Sequence, residues 1–316
     1  MELRAPFPYF GGKSKVADQI WPLFGEVRNY VEPFAGSLAV LLARPEGFSG
    51  AETVNDWSCQ LVNAWRAIAN APEELAETIV APPSEVQTES QHWQLISNAA
   101  DLRNALGDPS FFDINLAAYY IKGANEWIGS GWSSGEGPWS WSRNGGWAKR
   151  GERGVSRQLP HLGDAGKGIN RQLPHLGNAG KGQYEQRIDF VAGWLNALRD
   201  RICEVRIACG DFERVLSPSA TTKFGVTAVF LDPPYDGTEY VYGSEVPISQ
   251  RVRDWCSANG SNPEFRIVLA GRGDEHDALV QLGWTKQIWT ANQGYAHANT
   301  EARKTETLWI SPHCVK

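Results

Sequence analysis

The chain has 316 residues, of which 42% are hydrophobic and 21% charged, a composition typical of a soluble globular protein. Its longest apolar runs, such as 39–43, are too short to span a membrane, and no basic-then-apolar leader opens it, so a cytoplasmic protein is predicted. The net charge of −6, taken over the whole chain, disfavours a nucleic-acid partner. The length suits one large domain or a core with an inserted domain.

The first 80 residues alternate short apolar strands with helical stretches. Strands are predicted at 28–32 and 52–55, and helices at 38–43 and 61–70. The pattern resumes after residue 203, with strands predicted at 204–208, 228–231, 266–270, 285–289 and 306–310. Strands that alternate with helices predict an α/β fold with a mostly parallel, doubly wound sheet.

The stretch between residues 80 and 203 has a different composition. A helix is predicted at 111–127, and residues 129–182 then hold fourteen of the 32 glycines. Within them lies a tandem repeat of fourteen residues, 157–170 and 171–184. Two copies are too few for a solenoid, so two similar turns that project from a domain are predicted.

Charge is unevenly distributed along the chain. From Arg143 to Arg187 there are nine Lys/Arg and three Asp/Glu, a local balance of +6, so the remainder carries −12. A basic segment in an otherwise acidic protein indicates an inserted element that binds a polyanion. A solvated basic loop is the alternative. The five cysteines are scattered, without a Cys-x-x-Cys pair or a His at ligand spacing, which predicts reduced thiols in a cytosol and no structural zinc.

Residues 229–235 read Val-Phe-Leu-Asp-Pro-Pro-Tyr, an apolar strand followed by a rigid turn. Pro233 and Pro234 cannot continue the strand, because each lacks an N–H and has a restricted φ. The turn therefore lies at the carboxyl end of the strand, where open α/β sheets place their ligands. The Asp232 carboxylate, the prolyl carbonyls and the Tyr235 ring suit a planar group that carries an NH2. The alternative is a Pro-Pro loop with a capping Asp.

Three other predicted strands end in groups suited to a nucleoside. Residues 31–37 form a strand end with a small-residue turn, which a ligand can approach closely. Asp56 ends the next strand, at the position where Rossmann-like folds bind ribose hydroxyls. Residues 209–212 offer Asp211 and the Phe212 ring, suited to an adenine. A single loop acid is more often solvated than functional, but four strand ends in this order indicate a nucleoside cofactor.

A lysine-containing motif precedes them. Residues 8–15 read Pro-Tyr-Phe-Gly-Gly-Lys-Ser-Lys ahead of a predicted helix. A phosphate loop is not predicted, because Phe7 stands where that motif needs its first glycine and no strand precedes it.

Together these motifs resemble those of the Dam-type N6-adenine DNA methyltransferases, including phage and prophage versions. The order is the same: the Lys motif, Glu-Pro-Phe-x-Gly, a target-recognition region and Asp-Pro-Pro-Tyr. The resemblance implies a Rossmann-like class I methyltransferase sheet, with an S-adenosylmethionine-binding catalytic domain at 1–80 and 203–316. It further implies an inserted target-recognition region at 81–202, double-stranded DNA with a flipped adenine as substrate, and the cytoplasm of a bacterial or phage-infected cell.

The resemblance implies a role for each matched residue. The cofactor pocket would comprise Tyr9, Phe10, Gly11, Lys13, Glu32, Pro33, Phe34, Gly36, Asp56, Asp211, Phe212 and Asp232. The catalytic turn would be Asp232, Pro233, Pro234 and Tyr235, without a metal. DNA contacts are predicted from the insert, at Trp132, Trp139, Arg143, Lys149, Arg150, Arg157, Lys167, Arg171 and Lys181. A small core under the loops is the alternative for the tryptophans.

Two features depart from the family pattern. Leu38 stands where many relatives have a further glycine, and residues 125–182 lack the Arg-Tyr-Asn and Phe-Asn-Val-Pro segments of members that read GATC. GATC recognition is therefore not predicted. Similar turns also act on cytosine N4, on adenine in RNA and on a glutamine amide, and an inactive DNA-binding relative is a further alternative. The Asp form of the motif, in this order, favours adenine in DNA.

Overall fold

A computed structural model describes residues 3–9, 13–14, 16–80, 85–126, 131–133, 139–141, 147–149, 184–234, 246–290 and 305–315. The helices are α1 (Ala17–Phe24), α2 (Ala39–Leu42), α3 (Cys59–Asn70), α4 (Pro72–Val80), α5 (Glu85–Ser97), α6 (Ala99–Ala105), α7 (Ile114–Glu126), α8 (Tyr184–Ile202) and α9 (Ile248–Asn259). The strands are β1 (Asn29–Glu32), β2 (Ala51–Asp56), β3 (Trp139–Trp141), β4 (Trp147–Lys149), β5 (Arg206–Cys209), β6 (Thr227–Leu231), β7 (Phe265–Arg272), β8 (Thr285–Thr290) and β9 (Thr305–Ile310).

The chain forms two compact units, one of residues 1–10 and 58–203 and one of residues 11–57 and 204–316. We call them the helical unit and the sheet unit. The predicted boundary after residue 80 differs from the observed division after Trp57. The reason is that α3 packs against α4, α7 and α8, all of which belong to the helical unit. The second boundary, predicted at 202/203, lies within one residue of the observed one.

The sheet unit carries a seven-stranded sheet in the order β5-β2-β1-β6-β7-β9-β8. Strand β9 runs antiparallel to both of its neighbours, whereas the pairings among β5, β2, β1, β6 and β7 are parallel. Every residue of β1 and β6 is buried, as expected for parallel strands covered on both faces. The mostly parallel α/β sheet predicted from the sequence is confirmed, and it is consistent with a Rossmann-like methyltransferase fold.

The core of the sheet unit lies between the central strands and α9. Apolar side chains of β6 and β7 pack there with those of α9 and with Trp309 of β9. The core fixes the carboxyl ends of β1 and β6 rigidly, and those ends carry the motifs.

The helical unit is built around α3 and α7. Phe7 packs its ring against Trp65 of α3 and Tyr120 of α7, with centroids 5.4 Å away in both cases. Arg66 is buried and donates hydrogen bonds to backbone carbonyls of the loop after α6, including that of Asp108 at 2.7 Å. Strands β3 and β4 form an antiparallel pair in which Trp141 lies opposite Trp147. The tandem repeat, 157–184, lies outside the described residues apart from Tyr184, which begins α8.

Candidate active site

Four strands of the sheet unit place motif residues at one edge of the sheet. Strands β5, β2, β1 and β6 are neighbours and run parallel, so their carboxyl ends meet at the same edge. Glu32 ends β1, Asp56 ends β2, and Asp211 and Asp232 follow β5 and β6 closely. The structure thus brings together four acids that are up to 200 residues apart in the chain.

The turns after β1 and β2 are joined by hydrogen bonds. The N–H of Gly36 donates to Oδ2 of Asp56 at 3.0 Å, and the N–H of Ala35 donates to the Asn55 carbonyl at 2.8 Å. The Asn55 side-chain amide donates to the carbonyls of Pro33, at 3.1 Å, and Gly210, at 2.9 Å. Gly36 has φ of 48°, which suits glycine. The backbone of this edge is therefore held rigidly around the Asp56 carboxylate.

Leu38 adopts a left-handed backbone conformation, with φ of 56° and ψ of 24°, at the start of α2. It is the one described residue other than glycine with positive φ. A glycine at this position would adopt that conformation without strain, which gives a physical reason for glycine in relatives. Here the Leu38 side chain is fully buried, so its packing offsets the backbone strain and the turn keeps the left-handed conformation at this position.

Two aromatic rings stack beside this edge. Phe34 and Phe212 have ring centroids 5.4 Å apart and an interplanar angle of 24°. The guanidinium carbon of Arg251, on α9, lies 5.0 Å from the centroid of Phe212. Phe212 is 2% exposed and belongs to the core, whereas Phe34 is half-buried, so Phe34 is the ring of the pair that a purine can contact.

Arg251 also holds the neighbouring acid. Its guanidinium donates to both oxygens of Asp211, at 2.8 and 3.0 Å, and to Glu213 at 2.7 Å. Oδ1 of Asp211 accepts a further hydrogen bond from the Glu213 N–H at 3.0 Å. Burial opposes ionisation of Asp211, but the hydrogen bonds from Arg251 and from that N–H outweigh it and hold its pKa below the ordinary value. Asp211 is therefore a fixed anion.

Asp232 belongs to a cluster with Lys13 and Glu306. The Lys13 side chain is 3% exposed, and its Nζ lies 2.9 Å from Oδ2 of Asp232 and 3.5 Å from Oε2 of Glu306. Burial raises the pKa of Glu306, and Lys13 opposes that rise. Pro233, directly after Asp232, is buried and Pro234 is half-buried.

The other predicted pocket residues lie in different surroundings. The Glu32 carboxylate is buried and accepts a hydrogen bond from the Tyr30 hydroxyl at 2.8 Å. Tyr9 belongs to the helical unit and is 42% exposed. Phe10, Gly11 and Tyr235 lie outside the described residues.

Comparison with known protein families decides the class of this site. Residues 9–94 match the family model of the D12 class N6 adenine-specific DNA methyltransferases. The match supports an adenine-specific DNA methyltransferase. The match covers roughly a quarter of the chain and includes Lys13, the turn after β1 and Asp56, so the predicted resemblance is confirmed. A search of curated proteins found no match to the chain.

The family implies S-adenosylmethionine-dependent methylation of adenine in DNA. The Asp-Pro-Pro-Tyr turn lies beyond the matched residues, so the catalytic roles of that turn stay predictions, as does a phage or prophage origin. In the described ranges no helix is long and apolar enough to cross a membrane. Within those same ranges, no cluster of three or more His, Cys, Asp or Glu side chains is arranged to hold a metal ion.

The donor and acceptor set of the methyltransferase fits S-adenosylmethionine. Asp56 is 9% exposed, and with one oxygen fixed by the Gly36 N–H its carboxylate is oriented to accept hydrogen bonds from a ribose diol. The half-buried Phe34 ring, stacked on the buried Phe212, offers a face for the adenine. The carboxylates of Asp232 and Glu306 suit a positively charged sulfonium.

The predicted DNA contacts require one correction. Trp132 is 6% exposed in the helical unit, and its ring lies 5.2 Å from that of His92 and directly against Gly123. It belongs to the core, which was the alternative interpretation, because the backbone at Gly123 leaves a space that the indole fills. Trp139 and Lys149 pair in the β3–β4 hairpin. Arg143, Arg150, Arg157, Lys167, Arg171 and Lys181 lie outside the described residues.

The sequence interpretation missed two residues of the site, Glu306 and Arg251. Both lie on elements that follow the last recognised motif, and neither stands in a motif of its own. A signal for Glu306 was present, because it is a charged residue at the start of a predicted strand that continues into Leu308, Trp309 and Ile310. No local signal distinguished Arg251 from Arg253 on the same helix.

Proposed function

We propose that the methyltransferase moves a methyl group from S-adenosylmethionine to the exocyclic N6 of an adenine flipped out of duplex DNA. The observation that carries the proposal is the position of Asp232. It follows β6, is held by the buried Lys13, and lies at the same sheet edge as the Gly36–Asp56 pair. This edge is where open α/β sheets bind nucleotides.

The chemical task is to make a poor nucleophile attack. The N6 lone pair of adenine is delocalised into the ring, and a hydrogen-bond acceptor on each N6 proton returns electron density to the nitrogen. Asp232 accepts one such bond, and the carbonyl of Pro233 accepts the other. Tyr235 stacks on the base and aligns N6 with the methyl group, as the resemblance implies. Positioning and charge stabilisation then lower the barrier without a covalent enzyme intermediate.

The balance of the reaction is simple. When bound, S-adenosylmethionine supplies an electrophilic methyl group on a positively charged sulfur. A C–N bond forms as the C–S bond breaks, the sulfur keeps the bonding pair, and the positive charge passes to N6. Asp232 stabilises that charge, and one N6 proton leaves along its hydrogen bond to give N6-methyladenine.

The remaining pocket residues hold the methyl donor. Asp56 binds the ribose hydroxyls, and Phe34, supported by the buried Phe212, packs against the adenine near Asp211. Lys13 and Glu32 complete the pocket next to Asp232. Buried charged groups held by fixed hydrogen bonds favour binding, because little reorganisation is needed.

The DNA substrate requires further contacts. An adenine inside a duplex cannot reach the turn, and flipping it out costs a few kcal/mol. The basic insert supplies the charge for backbone contacts, at Arg143, Lys149, Arg150, Arg157, Lys167, Arg171 and Lys181. Trp139 offers a ring on which an unpaired base can stack.

The direct test is methyl transfer to DNA by Asp232→Ala, with the exposed acid substitution Asp254→Ala as the matched control. We expect Asp232→Ala to lose activity by at least about 100-fold, because it removes an acceptor and a transition-state charge. Asp254→Ala should retain normal activity. A near wild-type rate for Asp232→Ala would overturn the mechanism. A duplex without adenine tests the alternative substrate, cytosine N4.

A further inference from the structure

Two carboxylates share one buried ammonium in the sheet unit. Nζ of Lys13 lies 2.9 Å from Asp232 and 3.5 Å from Glu306. Both acid side chains are 20% exposed, so the three groups are only partly screened by water. Lys13 brings one positive charge and the acids bring two negative charges, which leaves a net charge of −1.

Among the described residues, one further cation, Arg272, acts on Glu306. Arg272 lies directly opposite Glu306 in the β7–β9 pairing, but it is exposed, so water screens its effect. Burial raises the pKa of Glu306, with Asp232 adding to the rise, while Lys13 and Arg272 oppose it. The fold thus holds a carboxylate where its negative charge is disfavoured.

We propose that Glu306 is a positioning residue of the methyl-transfer site, which keeps the group around Lys13 and Asp232 negative so that the site prefers the cationic methyl donor over its neutral product. This inference rests on the proposed function, which places the sulfonium near Asp232. The positively charged sulfonium offsets the charge excess. After transfer the sulfur is a neutral thioether, and that attraction disappears.

A stability measurement separates this role from a structural one. A carboxyl group whose pKa is raised in the folded state binds more protons folded than unfolded. The folded protein therefore loses stability as pH rises from about 4.3, the ordinary pKa, through the raised value. A Gln at position 306 does not ionise, so the variant does not lose this folding stability as pH rises. Lys13 still has Asp232 as its ion-pair partner. Glu306→Gln should therefore be at least as stable as wild type at pH 7.5.

The experiment measures the affinity of three ligands for the full chain by calorimetry at pH 7.5. They are S-adenosylmethionine, S-adenosylhomocysteine and sinefungin, which carries an ammonium group where the donor carries its methylsulfonium. Glu306→Gln should lower the preference for each cationic ligand over S-adenosylhomocysteine by about three- to tenfold, since one unit charge nearby is removed. Glu306→Asp, which keeps the charge, should retain most of the preference.

Glu52→Gln is the matched control. Glu52 is a buried acid of the same unit, paired with Arg44 at 2.8 Å at the amino end of β2. Its substitution should lower the melting temperature and leave the ligand preference unchanged. If Glu306→Gln does not fold, the same ratio should be measured in the wild-type protein over a pH series downwards from 7.5, and it should fall as Glu306 gains a proton.

An unchanged preference in Glu306→Gln, or across that pH range if the variant does not fold, overturns the inference. Failure of the proposed function is recognised separately, because the wild-type chain would then neither bind S-adenosylmethionine nor methylate DNA.

Discussion

The backbone N–H of Gly36 donates a hydrogen bond to Oδ2 of Asp56 at 3.0 Å, joining the ends of β1 and β2. The bond fixes one carboxylate oxygen of Asp56 at the edge where the four motif-bearing strands end. A glycine turn and a strand-end acid thus form one structural element. Their substitution effects should be coupled.

Asp56→Ala should weaken S-adenosylmethionine binding by about 1.5–3 kcal/mol, through loss of charge-assisted hydrogen bonds to the ribose. S-adenosylhomocysteine should lose the same amount, because the ribose is common to both. Asp56→Asn keeps an oxygen for the Gly36 N–H and should lose less. Calorimetry on the three proteins checks this, and an unchanged affinity in Asp56→Ala would mean that Asp56 does not contact the cofactor.

Leu38 predicts an unusual order of stability between two truncations. Leu38→Ala and Leu38→Gly both remove a fully buried side chain and should destabilise the protein by about 2–5 kcal/mol. The left-handed backbone costs an L-residue about 1–2 kcal/mol, and glycine escapes that cost. Leu38→Gly should therefore be no less stable than Leu38→Ala, in contrast to the usual order. Denaturant unfolding of both variants measures it, and a clearly more stable Ala variant would refute the strain.

Arg251→Met should raise the KM for S-adenosylmethionine several-fold with little change in kcat, because Asp211 and Phe212 lose the group that holds them. Arg253→Met, on the same helix, is the control and should have a smaller effect. The substitution should also return the pKa of Asp211 towards its ordinary value.

The acid stability of Arg251→Met tests the same interaction. The lowered pKa of Asp211 stabilises the fold above the unfolded pKa of about 3.9, and this contribution is lost as pH falls through the folded value. The difference in unfolding free energy between wild type and variant should thus shrink below pH 4. A difference independent of pH would assign the effect to packing alone.

The tandem repeat supplies one Arg and one Lys per copy, at Arg157, Lys167, Arg171 and Lys181. If these side chains bind phosphates, changing all four to Ala should weaken DNA binding and flatten its salt dependence. The expected change in slope is about 0.9 for each phosphate of duplex DNA that the variant no longer neutralises. Cofactor affinity should not change. Affinities over a salt series give the answer, and parallel slopes would show that the repeat does not touch the DNA backbone.

The sequence by itself determined the strands of the main sheet, its mostly parallel character and the order of the motifs. Short apolar runs such as 228–231 can only be buried strands when Pro233 and Pro234 follow them. Strands that alternate with helices favour a parallel sheet, in which the carboxyl ends meet, and the four motif-bearing strand ends were expected to form one nucleoside site. These inferences depend on neighbouring residues, whose effects are local.

Only the tertiary structure decided which distant side chains complete the site. Glu306 lies 293 positions after Lys13, and it reaches that lysine because β9 inserts antiparallel beside β7, a placement that no local pattern encodes. Arg251 reaches Asp211 through the packing of α9 against the sheet. Likewise, Trp132 was expected at the DNA but lies in the core, because the space beside Gly123 exists only after α7 is packed. Interactions between distant segments are set by packing and charge in the folded chain. The sequence alone therefore does not distinguish a core indole from a DNA-binding one, or a site carboxylate from a solvated one.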